Sequence, residues 1–202
     1  MSNDDYMVVN IRDYFKWNQT DATREDSLLE TISSFSCPLN PNIERFLKEQ
    51  AFEFTKKNLS VTYLVFSKED AALVGYFTLT AKPITVKEGI FSKTVQRKIS
   101  RVCEHCKERQ TFHLSAYLIA QLGKNFTDGA NNRITGKQLI KIAVDKVKEV
   151  QYMLGGVVAF LEAEMNDKLL DFYEKQNDFK KFDIRKADSV IENLLVQMLV
   201  TV

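Results

Sequence analysis

One stretch constrains this chain more than any other. An alternating strand runs into a capped amphipathic helix, and the helix stops at two glycines before a second strand. Phe112, Leu114, Ala116 and Leu118 alternate with His113, Ser115 and Tyr117, the period of a half-buried strand. Thr135 and Gln138 then have the spacing of a capping box, in which each satisfies an N–H that the first turn leaves over. Leu139, Ile140, Ala143, Val144 and Val147 carry the apolar stripe onward, Gly155-Gly156 stops it, and Val157 to Glu162 reads as a strand. Strand, helix and strand in this order predict a crossover with parallel pairing, right-handed by default.

The helix start has a chemistry of its own. Its free N–H groups and partial positive charge favour a phosphate. Asp128-Gly129 and Asn131-Asn132, in the polar loop before it, tolerate the positive φ that turns N–H groups into an anion nest. Lys124, Arg133 and Lys137 add charge. These residues suit a phosphorylated cofactor, and they also suit an ordinary strand–loop–helix connection with surface lysines.

The rest of the chain supplies layers around this unit. Met7-Val8-Val9 and Ile11 read as a short strand before polar turns. Leu28, Leu29, Ile32 and Phe35 have helical spacing over Arg24 to Phe35. Cys37-Pro38 breaks that helix, and Pro41 opens a second with the stripe Ile43, Phe46, Leu47, Ala51 and Phe54. Val61–Phe66 and Ala71–Thr80 read as a hairpin around Lys68-Glu69-Asp70, with residues 81–90 as extended chain or loop. Asn166 is an N-cap for a short helix from Asp167 to about Gln176. Phe179–Ile184 and Leu194–Val202 read as closing strands. The sum is an α/β, or layered α+β, domain: a mixed, mostly antiparallel sheet of six or seven strands flanked by helices. The 202 residues, 45% of them hydrophobic, suffice for one such domain.

Charge and cysteine usage narrow the setting. With 28 basic and 27 acidic residues no global field selects nucleic acid or membrane. Three Cys form no disulfide framework, so a reducing cytoplasm is expected. The N-terminus is acidic and polar, unlike a signal peptide, and no apolar run reaches the roughly 20 residues of a membrane span. Residues 91–109 stand out, with Lys93, Arg97, Lys98, Arg101, Lys107 and Arg109 against Glu104 and Glu108. They read as a basic helix inserted before the next strand, the one place where RNA phosphates would find a cluster of cations.

The order of elements and three local signatures resemble the GNAT superfamily of acyl-CoA-dependent N-acyltransferases. Ile119-Ala120-Gln121-Leu122-Gly123-Lys124-Asn125 resembles the ending of that family's fourth strand. Asn131 to Gly136 stands in the place of its pyrophosphate loop, written Gln/Arg-x-x-Gly-x-Gly/Ala. Asn166, Phe172-Tyr173-Glu174-Lys175 and Phe179 resemble its Asn…Phe-Tyr…Gly-Phe stretch. The resemblance covers roughly residues 40–184. Three departures accompany it: of the loop's glycines only Gly136 is present, with Asn131 and Ile134 at earlier motif positions. The loop before it is long, and Gln176-Asn177-Asp178-Phe179 replaces the Gly-Phe turn with one extra residue.

The resemblance implies an enzyme that moves an acetyl group from acetyl-CoA to a primary amine by direct attack, without a metal. Gln121, Leu122, Gly123 and Lys124 would hold the pantetheine arm. Arg133, Ile134, Thr135, Gly136 and Lys137 would hold the pyrophosphate. Asn166 would touch the arm, and Tyr173 would serve as the acid for the leaving thiolate. An ordinary tyrosine, with a pKa near ~10, is protonated at pH 7. Glu162 is the first candidate for the base, with Glu164, Tyr117 and His113 behind it. Two further readings are a GNAT-shaped partner-binding module without catalysis and an RNA-directed, toxin-like acetyltransferase. The acceptor amine is open, a dimer is compatible with the chain, and neither membrane nor bulk nucleic acid is expected as partner. Cys103-Glu104-His105-Cys106 has the spacing of half a zinc site, but the chain supplies no second cysteine pair.

Overall fold

A computed structural model describes residues 5–14, 22–101, 103–187 and 194–202. In chain order the elements are β1 (Tyr6–Asn10), α1 (Ala22–Ser33), α2 (Pro41–Arg45), a π-helical turn (Phe46–Gln50), α3 (Ala51–Lys56), β2 (Val61–Ser67), β3 (Leu73–Lys87), α4 (Lys93–Ile99), β4 (Glu104–Cys106), β5 (Thr111–Lys124), α5 (Gly136–Leu154), β6 (Val158–Glu164), α6 (Asp167–Asn177), β7 (Lys180–Lys186) and β8 (Leu194–Thr201). The strands follow the order β1-β2-β3-β5-β6-β8-β7, with β4 paired to β5. The fold is therefore a mixed α/β sheet, mostly antiparallel. Eight strands are present among the described residues, one more than the upper expectation, because β4 is a strand.

The chain divides into two compact units, Met1–Thr80 with Ala120–Ala143 and Ala81–Ile119 with Val144–Val202; β3, β5 and α5 contribute to both. In the first unit β1, β2 and β3 are antiparallel, with Val8 opposite Val65 and Tyr63 opposite Phe77. Their inner face and the early helices share one core, in which Leu28, Ile32, Phe35, Leu47, Leu64 and Tyr76 are buried. Phe35 meets Tyr76 edge to face at 5.3 Å, and the Tyr76 hydroxyl donates to the Ile43 carbonyl at 2.6 Å. Gly75 allows the closest backbone approach: a Cβ there would lie 2.8 Å from the Gly123 carbonyl oxygen.

The second unit contains the predicted parallel pair. Tyr117, Leu118 and Ile119 of β5 lie opposite Ala159, Phe160 and Leu161 of β6. β6 pairs with β8 along its whole length, Val158↔Thr201 to Glu164↔Leu195, and β7 closes on β8. β7 is largely exposed, and its Lys180, Lys181 and Lys186 suit an edge that resists further pairing.

Most expected elements are present. The helix that begins at Pro41 extends through a π-type turn to Lys56. The second hairpin strand does not stop at Thr80 but runs to Lys87. The continuous helix expected over 91–109 is not formed. α4 occupies only Lys93–Ile99, and Glu104–Cys106 pairs with β5 instead. The cause is a hairpin: Gln110 takes a left-handed turn at φ 51, and His105 stacks on Phe112 at 4.6 Å. The polar turns expected after Ile11 lie mostly outside the described residues.

The capping box is formed as expected. Gln138 N–H donates to Thr135 Oγ1 at 3.2 Å, and Thr135 N–H donates to Gln138 Oε1 at 2.8 Å. Thr135→Ala removes one of these bonds and is expected to cost about 1 kcal/mol of stability, read as a Tm lower by roughly 2–4 °C. An unchanged Tm would show that the helix start is held by packing alone.

Candidate functional site

The first unit carries the residues expected to hold phosphate. β5 ends at Lys124, and the next residue, Asn125, is buried with every polar atom of its side chain engaged. Its Oδ1 accepts from the Ser36 and Thr127 N–H groups at 3.0 and 3.1 Å, and its Nδ2 donates to the Leu73 carbonyl at 2.9 Å. Its own N–H donates to the Val74 carbonyl at 2.9 Å. Asp128 and Gly129 then take φ of 50° and 70°, the left-handed geometry expected of them. Asn131 and Asn132 do not.

The loop is pinned at its far end too. Ile134 is 1% exposed, so its side chain belongs to the core rather than to an open loop. The Arg133 carbonyl accepts from the Tyr6 hydroxyl at 2.7 Å, and its guanidinium pairs with Asp70 at 2.7 Å. Arg133 is thus not a free charge. Lys137 is exposed, and Lys124 is half-buried, its ammonium pulled below the ordinary lysine pKa by that burial. The N–H groups of Gly136 and Lys137 lie in the first turn, where the helix supplies no acceptor. Gln121 and Leu122 are half-buried. Gly123 is buried, and a Cβ there would fall 2.4 Å from Ile43 Cγ2, so it is a packing glycine.

The second unit carries Glu162, Asn166 and Tyr173. Asn166 caps α6: its Oδ1 accepts from the N–H groups of Lys168 and Leu169 at 3.0 and 3.3 Å. Tyr173, two turns on, is 8% exposed. Its ring meets Phe172 at 5.1 Å and Phe179 at 5.7 Å, both edge to face. Its hydroxyl has no hydrogen bond among the described residues, although a buried phenol usually finds one. Burial pushes its pKa up to about 12. The turn after α6 explains one departure from the family pattern. Asp178 takes the left-handed conformation at φ 59 that glycine usually supplies, and Phe179 N–H reaches the Tyr173 carbonyl at 3.1 Å.

Glu162 is differently placed from a base. Both its oxygens accept from Arg185, each at 2.6 Å, and Gln197 adds a third bond at 2.8 Å. Burial raises its pKa, but these bonds and the Arg185 and Lys82 charges outweigh it, leaving the carboxyl below the ordinary value. This is a fixed ion pair across β6, β8 and β7 rather than a proton acceptor. Tyr117 is also occupied: its hydroxyl donates to the Gly155 carbonyl, and its ring leaves no room for a Cβ at Gly156, 2.9 Å away. His113 Nδ1 is within 2.9 Å of Thr85 Oγ1, and Glu164 is exposed. Arg185 and Gln197 carry no local signal, because both come from strands paired only in the folded sheet.

Cys103 precedes β4 and Cys106 is its last residue. A strand rises about 3.3 Å per residue and separates the two thiols, so the helical half-site geometry does not arise. Among the described residues no group of three His, Cys, Asp or Glu is placed to hold a metal ion, and no helix is long and apolar enough to cross a membrane.

Solved structures match the chain over nearly its whole length. The chain has the GNAT fold. It is similar to AtaT complexed with acetyl-methionyl-tRNAfMet, at 16% identity and a TM-score of 0.60, over 95% of this chain and 94% of that one. It is similar to a Tyr→Phe variant of KacT, at 20% identity and 0.59, over 96% and 95%. It is also similar to AtaTR bound with AcCoA, at 16% identity and 0.55, over 98% and 94%. No protein-family model and no curated protein matches the chain. The GNAT fold thus rests on three-dimensional likeness at low identity.

Within this fold Glu162→Gln tests the ion pair. It leaves Arg185 without its charge partner and is expected to lower stability by roughly 1–3 kcal/mol. Because the folded carboxyl titrates below its unfolded value, the wild-type advantage is full above about pH 5. It fades as pH falls through the folded pKa. Urea denaturation of both proteins from pH 7 to pH 3 measures this; a gap that widens in acid contradicts the assignment.

Proposed function

We propose that the chain is an N-acetyltransferase that moves an acetyl group from acetyl-CoA to an amine by direct attack. Tyr173 carries the reading: its ring is buried, its hydroxyl makes no hydrogen bond among the described residues, and a pKa near 12 keeps its proton in place at neutral pH. Acetyl-CoA supplies the activated acetyl thioester. Tyr173 holds a proton at its hydroxyl oxygen, suited to a leaving thiolate. The free N–H groups of Gly136 and Lys137, with the Lys124 and Lys137 charges, suit the pyrophosphate. The backbone of Gln121, Leu122, Gly123 and Lys124 suits the pantetheine arm, since the pairs of β5 with β6 end at Ile119. Arg133, Ile134 and Thr135 act by holding the loop's shape, and Asn166 by fixing the start of the helix that bears Tyr173.

The similar proteins support the reading. AtaTR is bound with AcCoA, and AtaT is complexed with an acetylated aminoacyl-tRNA. An amine carried by tRNA is therefore the acceptor class we take forward. Glu162 is engaged by Arg185 and Gln197, so the amine's proton passes to another group or to solvent.

Calorimetry with acetyl-CoA is expected to give a Kd on the order of micromolar. No binding at millimolar acetyl-CoA would sink the proposal and favour a partner-binding module. Tyr173→Phe is expected to keep that affinity and to lower kcat by about 100-fold or more. With the proton held up to about pH 12, the wild-type rate is expected to show no alkaline fall through Tyr173 below that value. Unchanged turnover in the variant would remove Tyr173 from the acid role.

A further inference from the structure

The near-zero net charge of this chain hides a strong asymmetry. Residues 81–119 hold eight Lys and Arg against three Glu, a net of +5; the remaining 20 basic and 24 acidic residues leave −4. The positive charge is gathered on one excursion of the second unit. The chain leaves the sheet after Lys87, forms α4 and the β4 hairpin, and returns where Glu88 N–H donates to the Gln110 carbonyl at 2.8 Å. Lys93, Arg97, Lys98, Arg101, Lys107 and Arg109 all lie within this loop, and all are exposed.

α4 is oriented by its packing. Val95 and Ile99, spaced by four, form its inner stripe, with Ile99 0% exposed, and Phe91 just before the helix is 6% exposed. Phe91 and Val95 also line a hollow of about 70 Å³ shared with Leu199 and Val200. Within α4, Lys93 and Arg97 are also spaced by four and lie two residues from Val95 and Ile99, which puts them on the opposite face; Arg101 follows just past the helix end. Lys93 and Arg97 are like charges one turn apart, an arrangement that weakens a helix by itself.

No charged group of these six pairs with a carboxylate among the described residues. The acidic groups nearby do not neutralise them. Glu88 is held by His105 Nε2, and Glu104 and Glu108 are exposed without ion pairs among the described residues. Elsewhere surface cations are commonly paired, as in Lys48–Glu44, Lys57–Glu53 and Lys175–Asp171.

We infer that this arm is a docking surface for the phosphate backbone of RNA. Unpaired cations on an anchored face release counterions when they meet phosphates, which supplies affinity without sequence selectivity. A membrane surface fits less well. Lasting attachment takes apolar residues beside the cations, and among the described residues no exposed large hydrophobic lies in 81–119. A protein partner would need an exposed apolar or aromatic centre, and the described residues of the arm show none. The inference deepens the tRNA reading of the acceptor, but its charge argument stands without it.

The test uses the full chain, a fluorescein-labelled single-stranded RNA of about 20 nucleotides, and a variant combining Lys93→Gln, Arg97→Gln, Lys98→Gln and Arg101→Gln. Anisotropy is followed from 50 to 200 mM KCl. The wild type is expected to bind with Kd on the order of 10 µM at low salt. The variant is expected to bind at least ~10-fold more weakly, with a salt slope smaller by about 3, near 0.7 for each lost contact. Lys148→Gln with Lys175→Gln, outside the arm, should change neither quantity. An unchanged slope in the arm variant, equal weakening in the control, or binding to phosphatidylserine vesicles without RNA binding would each overturn the inference. Acetyl-CoA affinity and acetylation of a small free amine are read in parallel. Arm-dependent RNA binding without acetyl-CoA binding would retain the arm and discard the acetyltransferase. Acetyl transfer with no RNA binding would do the reverse.

Discussion

The first unit's candidate residues depend on one buried amide. Asn125 sits where β5 ends and the loop begins, and its side chain and backbone N–H make four hydrogen bonds of 2.9 to 3.1 Å. Buried polar groups are costly unless satisfied, and here both the oxygen and the nitrogen of the amide are engaged. The partners come from β3, from residue 36 after α1, and from the loop itself. The exit direction of the chain from β5 is therefore set by geometry rather than by sequence around it. Thr127 adds a hydroxyl bond to the Ser34 carbonyl, and the capping box then fixes where α5 starts.

The second unit solves a different problem. Its candidate acid has a buried ring, yet the hydroxyl makes no hydrogen bond among the described residues. Tyr173 is held by ring contacts on both sides and by backbone bonds to its carbonyl, which fix the helix turn without using the hydroxyl. The Glu162–Arg185–Gln197 group does the opposite. It joins three adjacent strands, with both carboxylate oxygens engaged, and the result is a carboxylate that no longer takes protons easily.

What was legible in the sequence was whatever depends on neighbours along the chain. Thr135 with Gln138, and Asn166 before Asp167, are local caps, and both form as read. The alternation from Phe112 to Leu118 and the glycine stop after α5 gave the parallel crossover. Pairing between distant segments was not legible. Glu162 looked free because Arg185 and Gln197 are 23 and 35 residues away. Residues 91–109 looked like one helix because composition alone does not show a hairpin whose turn rests on Gln110 at positive φ. Asp178 is an intermediate case: the family's glycine is missing, but Asp tolerates the same left-handed geometry, so the turn survives the change.

Ile134 has a consequence beyond packing. It stands where the family pattern has a glycine, and its side chain is fully inside the core. Glycine would give this segment many conformations; a buried isoleucine leaves it few. The segment is also held on each side, by the Tyr6 bond to the Arg133 carbonyl and by the Thr135 cap. Its shape is thus prepaid during folding. An anion that meets it has little chain entropy to remove, and rigidity takes over the part that glycine plays elsewhere.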